Sequence, residues 1–142
     1  MRLIDTNLLI YAVNEDAPEH GVARDWLDDA LSGVDTVAFA WLALIGFVRI
    51  SSHPRLSRNP LPADEAMERV ESWLAQPNAR ILDPLRRHAT IMRELLSATD
   101  VAGNLTNDVH LAALAIEHGA VMCSADNDFG RFAGLRWTNP LD

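Results

Sequence analysis

The chain contains no lysine; all 12 of its basic side chains are arginine. Receiver domains, which need a lysine at the end of the last strand, are excluded by that absence. So are haloacid-dehalogenase-like phosphatases, which also want a second aspartate where Asn7 stands. Cysteine is nearly missing as well. Cys123 is alone, so no intramolecular disulfide can form and no Cys/His zinc spacing exists. It lies in an apolar run and reads as a buried thiol suited to a reducing compartment. No apolar run is long enough to span a bilayer. The longest, 37–48, ends at Arg49, well short of the roughly 20 residues required. Asp5 interrupts any apolar N-terminal segment, so no signal peptide is expected. A soluble cytoplasmic protein with no membrane role is the expectation. Positive charge is also scarce. The net charge of −8 argues against broad nonspecific nucleic-acid binding, while leaving room for a local basic surface. Arg49, Arg55, Arg58, Arg86 and Arg87 are candidate phosphate contacts, although any one of them is more simply solvated surface.

The 142 residues suit one domain over 1–142, and 49% apolar content provides for a sizeable core. Short apolar runs alternate with helical stripes. Strands are expected at 2–5, 36–40, 79–83 and 120–124, with a short fifth at 135–138. Between them, Thr6 is expected to cap one helix and Pro18 to open another with Val22, Ala23, Trp26, Leu27, Ala30 and Leu31 inward. The segment 41–50 is apolar nearly all round and reads as a buried helix. Segment 51–62 reads as a loop. Asp64 and Glu65 open the next helix. Segment 86–98 is helical, 100–106 a loop, and 107–118 a helix ended by Gly119. Strands in alternation with helices, with continuously apolar strand cores, predict a mostly parallel four- or five-stranded sheet covered on both faces.

Aspartates recur where these apolar runs stop or a helix begins. Asp5 follows Arg2-Leu3-Ile4, Asp108 opens the stretch 109–116, and Asp126 and Asp128 follow 120–125. Ligands of open α/β sheets bind beyond the carboxyl ends of the strands. Acids from both ends of the chain would therefore converge at one sheet edge. Converging carboxylates without balancing bases point to a hard divalent cation such as Mg²⁺ or Mn²⁺. Structural explanations compete. Asp108 in a first helical turn gains about 0.3 to 1 kcal/mol from the helix dipole. Asp126 and Asp128 have good turn composition. Only their joint placement favours a metal site. Asp83 also ends a strand, but Pro84 explains it as a turn. The histidines show no metal-ligand spacing.

Met1-Arg-Leu-Ile-Asp5-Thr6-Asn7, Asn107-Asp108-Val-His-Leu-Ala-Ala-Leu-Ala115 and Ser124-Ala-Asp126-Asn-Asp128-Phe129 resemble the three acidic motifs of PIN domains. Their order and the chain length are similar to the VapC toxin ribonucleases of VapBC type II toxin–antitoxin systems. The resemblance implies a PIN-like three-layer α/β/α sandwich. It also implies a Mg²⁺-dependent endoribonuclease, with Mn²⁺ as a substitute, acting on structured RNA. A homodimer neutralised by a cognate VapB-type antitoxin goes with it. Asp5, Asp108 and Asp126 carry over as the catalytic, metal-binding acids. Thr6, Asn7, Ser124 and Asp128 carry over as supporting residues, and Arg49 becomes a candidate RNA contact.

The chain departs from the family's pattern at one point. The glutamate usual on the helix after the second strand falls near Gly46, and no acid occurs between Asp35 and Asp64. A second reading follows, in which a catalytically weak PIN-like module grips RNA or a partner without cutting.

Overall fold

A computed structural model describes residues 1–98 and 102–142. Among the described residues, five short strands are β1 (Arg2–Ile4), β2 (Val37–Phe39), β3 (Ala79–Ile81), β4 (Val121–Cys123) and β5 (Trp137–Thr138). The helices are α1 (Thr6–Val13), α2 (His20–Ser32), α3 (Trp41–Ser52), α4 (Ala63–Leu74), α5 (His88–Ser97) and α6 (Ala102–His118). The strands form one sheet in the order β3-β2-β1-β4-β5, with every pairing parallel. Parallel strands require crossover connections, and the helices supply them on both faces.

Alternation along each strand sends neighbouring residues to opposite faces. Leu3, Ala38 and Met122 enter one core with Ile91 and Leu95 of α5 and Leu105, Val109 and Ala112 of α6. Ile4, Val37, Phe39 and Cys123 enter the other with Leu8 of α1, Leu27 of α2 and Val70 and Trp73 of α4. Trp73 stacks on Phe39, and its ring meets Phe47 of α3 edge-on at 4.9 Å. Each such aromatic pair contributes about 0.5 to 1.5 kcal/mol beyond area burial, which anchors α3 and α4 to β2. Cys123 is fully buried, and that burial pushes its thiol up to about 11.

Several sequence-based expectations change. Asp5, not Thr6, caps α1, accepting the Thr6 N–H at 2.7 Å. The Thr6 hydroxyl instead donates to the Ala43 carbonyl at 2.9 Å. Pro18 lies in the turn ahead of α2, which begins at His20, and Val22 faces outward at 56% exposure. The helix expected to be buried all round is not. Ala43, Leu44 and Phe47 pack inward, but Trp41 and Ile45 are 45% and 59% exposed, because no other element among the described residues covers that stripe of α3. The loop expected over 100–106 begins outside the described residues, and from Ala102 the chain is already helical. Phe129 sits in a short 3-10 helix (Asn127–Arg131) not anticipated from sequence. Among the described residues, no helix is long and apolar enough to cross a membrane.

Candidate metal centre

Strand register places the first two elements of the site side by side. Ile4 pairs with Cys123, so Asp5 and Ser124 leave adjacent parallel strands at the same level. Ser124, fully buried, donates its hydroxyl to Asp5 Oδ2 at 2.6 Å. The Ser124 Oγ itself accepts the Asp126 N–H at 2.9 Å and the Asn7 Nδ2 amide at 3.2 Å. Asn7 Oδ1 in turn accepts the Ala125 N–H at 3.3 Å. One serine thus ties both ends of the chain together across 119 residues. Ser124→Ala would strand a buried carboxylate oxygen and two donors. Its expected cost is about 1 to 3 kcal/mol in thermal unfolding, with metal affinity falling about 10-fold in a direct titration. Ser124→Thr keeps the hydroxyl and is expected to keep most of both.

Asp126 caps the 3-10 helix, its Oδ1 accepting the Asp128 N–H at 2.9 Å. Asp128 pairs with Arg131 at 3.2 Å. These contacts match the turn role that sequence allows for both residues. Asp108 loses its simplest structural explanation. Because α6 starts at Ala102, Asp108 lies beyond the first turn, where the helix dipole is no longer a sufficient cause. The helix instead carries it to the carboxyl edge of the sheet.

One carboxylate oxygen from each of Asp108, Asp126 and Asp128 lies within 4.8 Å of the others. At that spacing each ionised pair repels by about 1 to 3 kcal/mol, depending on the effective dielectric. Burial first, then the charges of Asp5, Asp126 and Asp128, push the Asp108 carboxyl up to about 6. Asp5 is also raised, chiefly by burial, against the lowering effect of its bonds from Ser124 and Thr6. The donor set is entirely hard carboxylate oxygen, and its own repulsion disfavours the fully ionised state. Both properties fit a hard divalent cation. Asp128 stands in this group alongside Asp108 and Asp126. Asp5 lines the adjoining cavity with Asp108 and is held by donors on both oxygens.

That cavity, of about 270 Å³, opens between α3 and α6. Asp5, Thr6 and Asp108 supply its polar lining, and Leu42, Ile45, Ile50 and Leu111 supply apolar wall. Of the five arginines singled out from sequence, Arg49 is the one on its lining. Arg55 and Arg58 are exposed on the loop after α3. Gly46 explains the missing acid in packing terms. A Cβ there would meet Thr6 Oγ1 at 3.0 Å and Cγ2 at 3.3 Å. Thr6 is held there by its bond to Ala43, so glycine eases the close approach of α1 and α3.

Two features had no role assigned to them from sequence. Asn107, next to Asp108, lies on the cavity wall. On the other side of α6, Glu117 accepts the Leu85 N–H at 3.2 Å and faces His88 Nδ1 at 2.8 Å. His88 Nε2 is 2.9 Å from His110 Nδ1. Burial, then His88, hold the His110 ring below its ordinary pKa. His110 is two residues, about 200° of helical turn, from Asp108, so this network braces α5 against α6 rather than joining the acids.

The PIN domain family matches residues 2–135. Ribonuclease VapC37 of Mycobacterium tuberculosis is 47% identical, over 99% of this chain and 97% of the relative. Ribonuclease VapC33 from the same species is 43% identical, over 99% of both chains. Among solved structures, VapBC2 from Rickettsia felis bound to a promoter DNA fragment superposes with a TM-score of 0.71. That likeness, at 18% identity and 97% coverage of both chains, concerns the fold.

Proposed function

Because the chain belongs to the PIN domain family, and within it to the VapC ribonucleases, we propose that it is the toxin of a type II toxin–antitoxin pair and cuts RNA phosphodiester bonds. The observation carrying this reading is the carboxylate group at the sheet edge, whose mutual repulsion a divalent cation would relieve. Asp108 and Asp126 would hold the cation with Asp128 beside them, and Asp5 would complete the set from the cavity side. When bound, Mg²⁺, or Mn²⁺ in its place, polarises the phosphate and lowers the pKa of the attacking water. Ser124, Thr6 and Asn7 keep the acids oriented. Arg49 meets a phosphate of the RNA at the cavity wall.

The partner would be a cognate VapB-type antitoxin. An apolar groove lined by Trp41, Leu44, Ile45, Val48 and Met67 offers one surface for it. A more polar groove beside α2, floored by Leu27 and Trp73, offers another. The reading includes a single domain over 1–142, a homodimer and a cytoplasmic location. Gly46 supports the catalytically weak alternative, since one family acid is missing.

One experiment separates the two. Purified protein incubated with RNA and Mg²⁺ or Mn²⁺ is expected to give products with 5′-phosphate and 3′-hydroxyl ends. EDTA, or the antitoxin encoded beside it, should stop the reaction. RNA binding with no metal-dependent cleavage would leave only the binding module, and cyclic phosphate ends would rule out water as the nucleophile.

A further inference from the structure

Resting on the nuclease reading, we propose that the cavity between α3 and α6 is a nucleobase subsite, which takes an unpaired base flanking the phosphate to be cut. Its lining combines two chemistries. Asp5 and Asp108 supply carboxylates, and Leu42, Ile45 and Ile50 of α3 with Leu111 of α6 supply apolar wall. A phosphate is poorly suited to that apolar part, because Leu42, Ile45, Ile50 and Leu111 offer it no donor and the acids repel it. A base suits it. Its faces are apolar enough to lie against aliphatic side chains, and its edge needs hydrogen-bond partners. Asn107 places an amide, both donor and acceptor, on the same wall.

Size agrees. About 270 Å³ is less than the roughly 300 to 1,000 Å³ of pockets that enclose a whole drug-sized ligand. It suits one ring system, with the phosphate left beside the acids and Arg49. Bases stacked in a duplex cannot enter, so the nucleotide at the cut must be single-stranded or extruded. Ile45 is 59% exposed at the rim, and Asn107 is exposed, so both can be altered without touching the core.

The test uses the full chain and single-stranded RNA oligomers carrying one abasic nucleotide, moved stepwise along the sequence. Binding is read by fluorescence anisotropy in Ca²⁺, and kcat/KM is read separately in Mg²⁺ or Mn²⁺. One position next to the cleaved bond is expected to lose about 10-fold in affinity when its base is removed. Ile45→Ala should shrink that penalty to about 2-fold, while Asn107→Ala should flatten the preference among the four bases at that position. Equal penalties at every position, or a penalty unchanged by Ile45→Ala, alongside metal-dependent cleavage, overturn the subsite and leave the nuclease standing. Absence of cleavage with both metals overturns the nuclease, and the subsite with it.

Discussion

Asp108→Asn is expected to make the metal-free protein more stable while it abolishes RNA cleavage. The carboxyl is pushed up to about 6 by burial and by three neighbouring acids, so at neutral pH its ionised form is a net cost to folding. An upward shift from 3.8 to about 6 corresponds to about 3 kcal/mol, reduced to about 1 to 2 kcal/mol because solvent reaches half of the group. The asparagine variant should therefore unfold several degrees higher in EDTA at pH 7.5. It should also lose the stabilisation that Mg²⁺ or Mn²⁺ gives the parent, and its cleavage rate should drop about 10³-fold. Asp5→Asn supplies the contrast. Asp5 caps α1 and accepts from buried Ser124, and an amide can satisfy only one of those two donors with its single oxygen. The same loss of cleavage should come with a stability loss of about 1 to 3 kcal/mol. Thermal unfolding of both variants decides the matter. If Asp108→Asn destabilises the metal-free protein as Asp5→Asn does, the acids are not repelling one another.

Acid is expected to do to the metal-free protein what a cation does, and the two should compete. Asp108 binds its proton more tightly folded than unfolded, so between about pH 4 and 6 the native state holds more protons. Its contribution to stability is present at low pH and is lost as pH rises through about 6. Asp5 acts in the same direction. A cation must displace those protons. Its affinity should rise up to about 10-fold per pH unit below 6 for each proton released, then level off above pH 7. In melting curves, Mn²⁺ should raise the midpoint strongly at pH 7.5 and hardly at all at pH 5. Calorimetric titration in buffers of different ionisation enthalpy counts the protons released. Identical metal affinity at pH 5 and pH 7.5 would refute the coupling. His110, whose pKa burial and His88 lower, adds an opposite slope in the acid range, so the comparison should be made on the metal-induced difference and not on the midpoint alone.

Much of this was readable from residue order because strand and helix periods are local. The runs at 2–4, 37–39, 79–81 and 121–123 are short and mostly apolar and alternate with helical stripes, so the parallel α/β frame follows from pattern alone. Boundaries were less readable. The α6 start at Ala102 depends on Leu105 reaching the core beside α5, a tertiary gain that a weak local signal could not report. That shift matters, since it moves Asp108 out of the first turn and removes its bland explanation. The exposure of Trp41 and Ile45 was hidden for a similar reason. An apolar residue carries no mark of which neighbours exist to cover it.

By itself, the sequence determined the residue chemistry: aspartates at the ends of apolar runs, no lysine, no Cys/His zinc spacing, and glycine where the family's glutamate is usual. Those are properties of composition and order. Tertiary structure decided which acids meet. The β1–β4 register brings Asp5 to Ser124, α6 swings Asp108 to the same edge, and the 3-10 helix folds Asp128 in beside Asp126. It also decided that Gly46 presses on Thr6 and that an apolar cavity adjoins the acids. The physical reason is range. Propensity and periodicity act over a few residues, whereas carboxylate repulsion, shared hydrogen bonds and close packing act between groups that only the folded chain brings within a few ångströms.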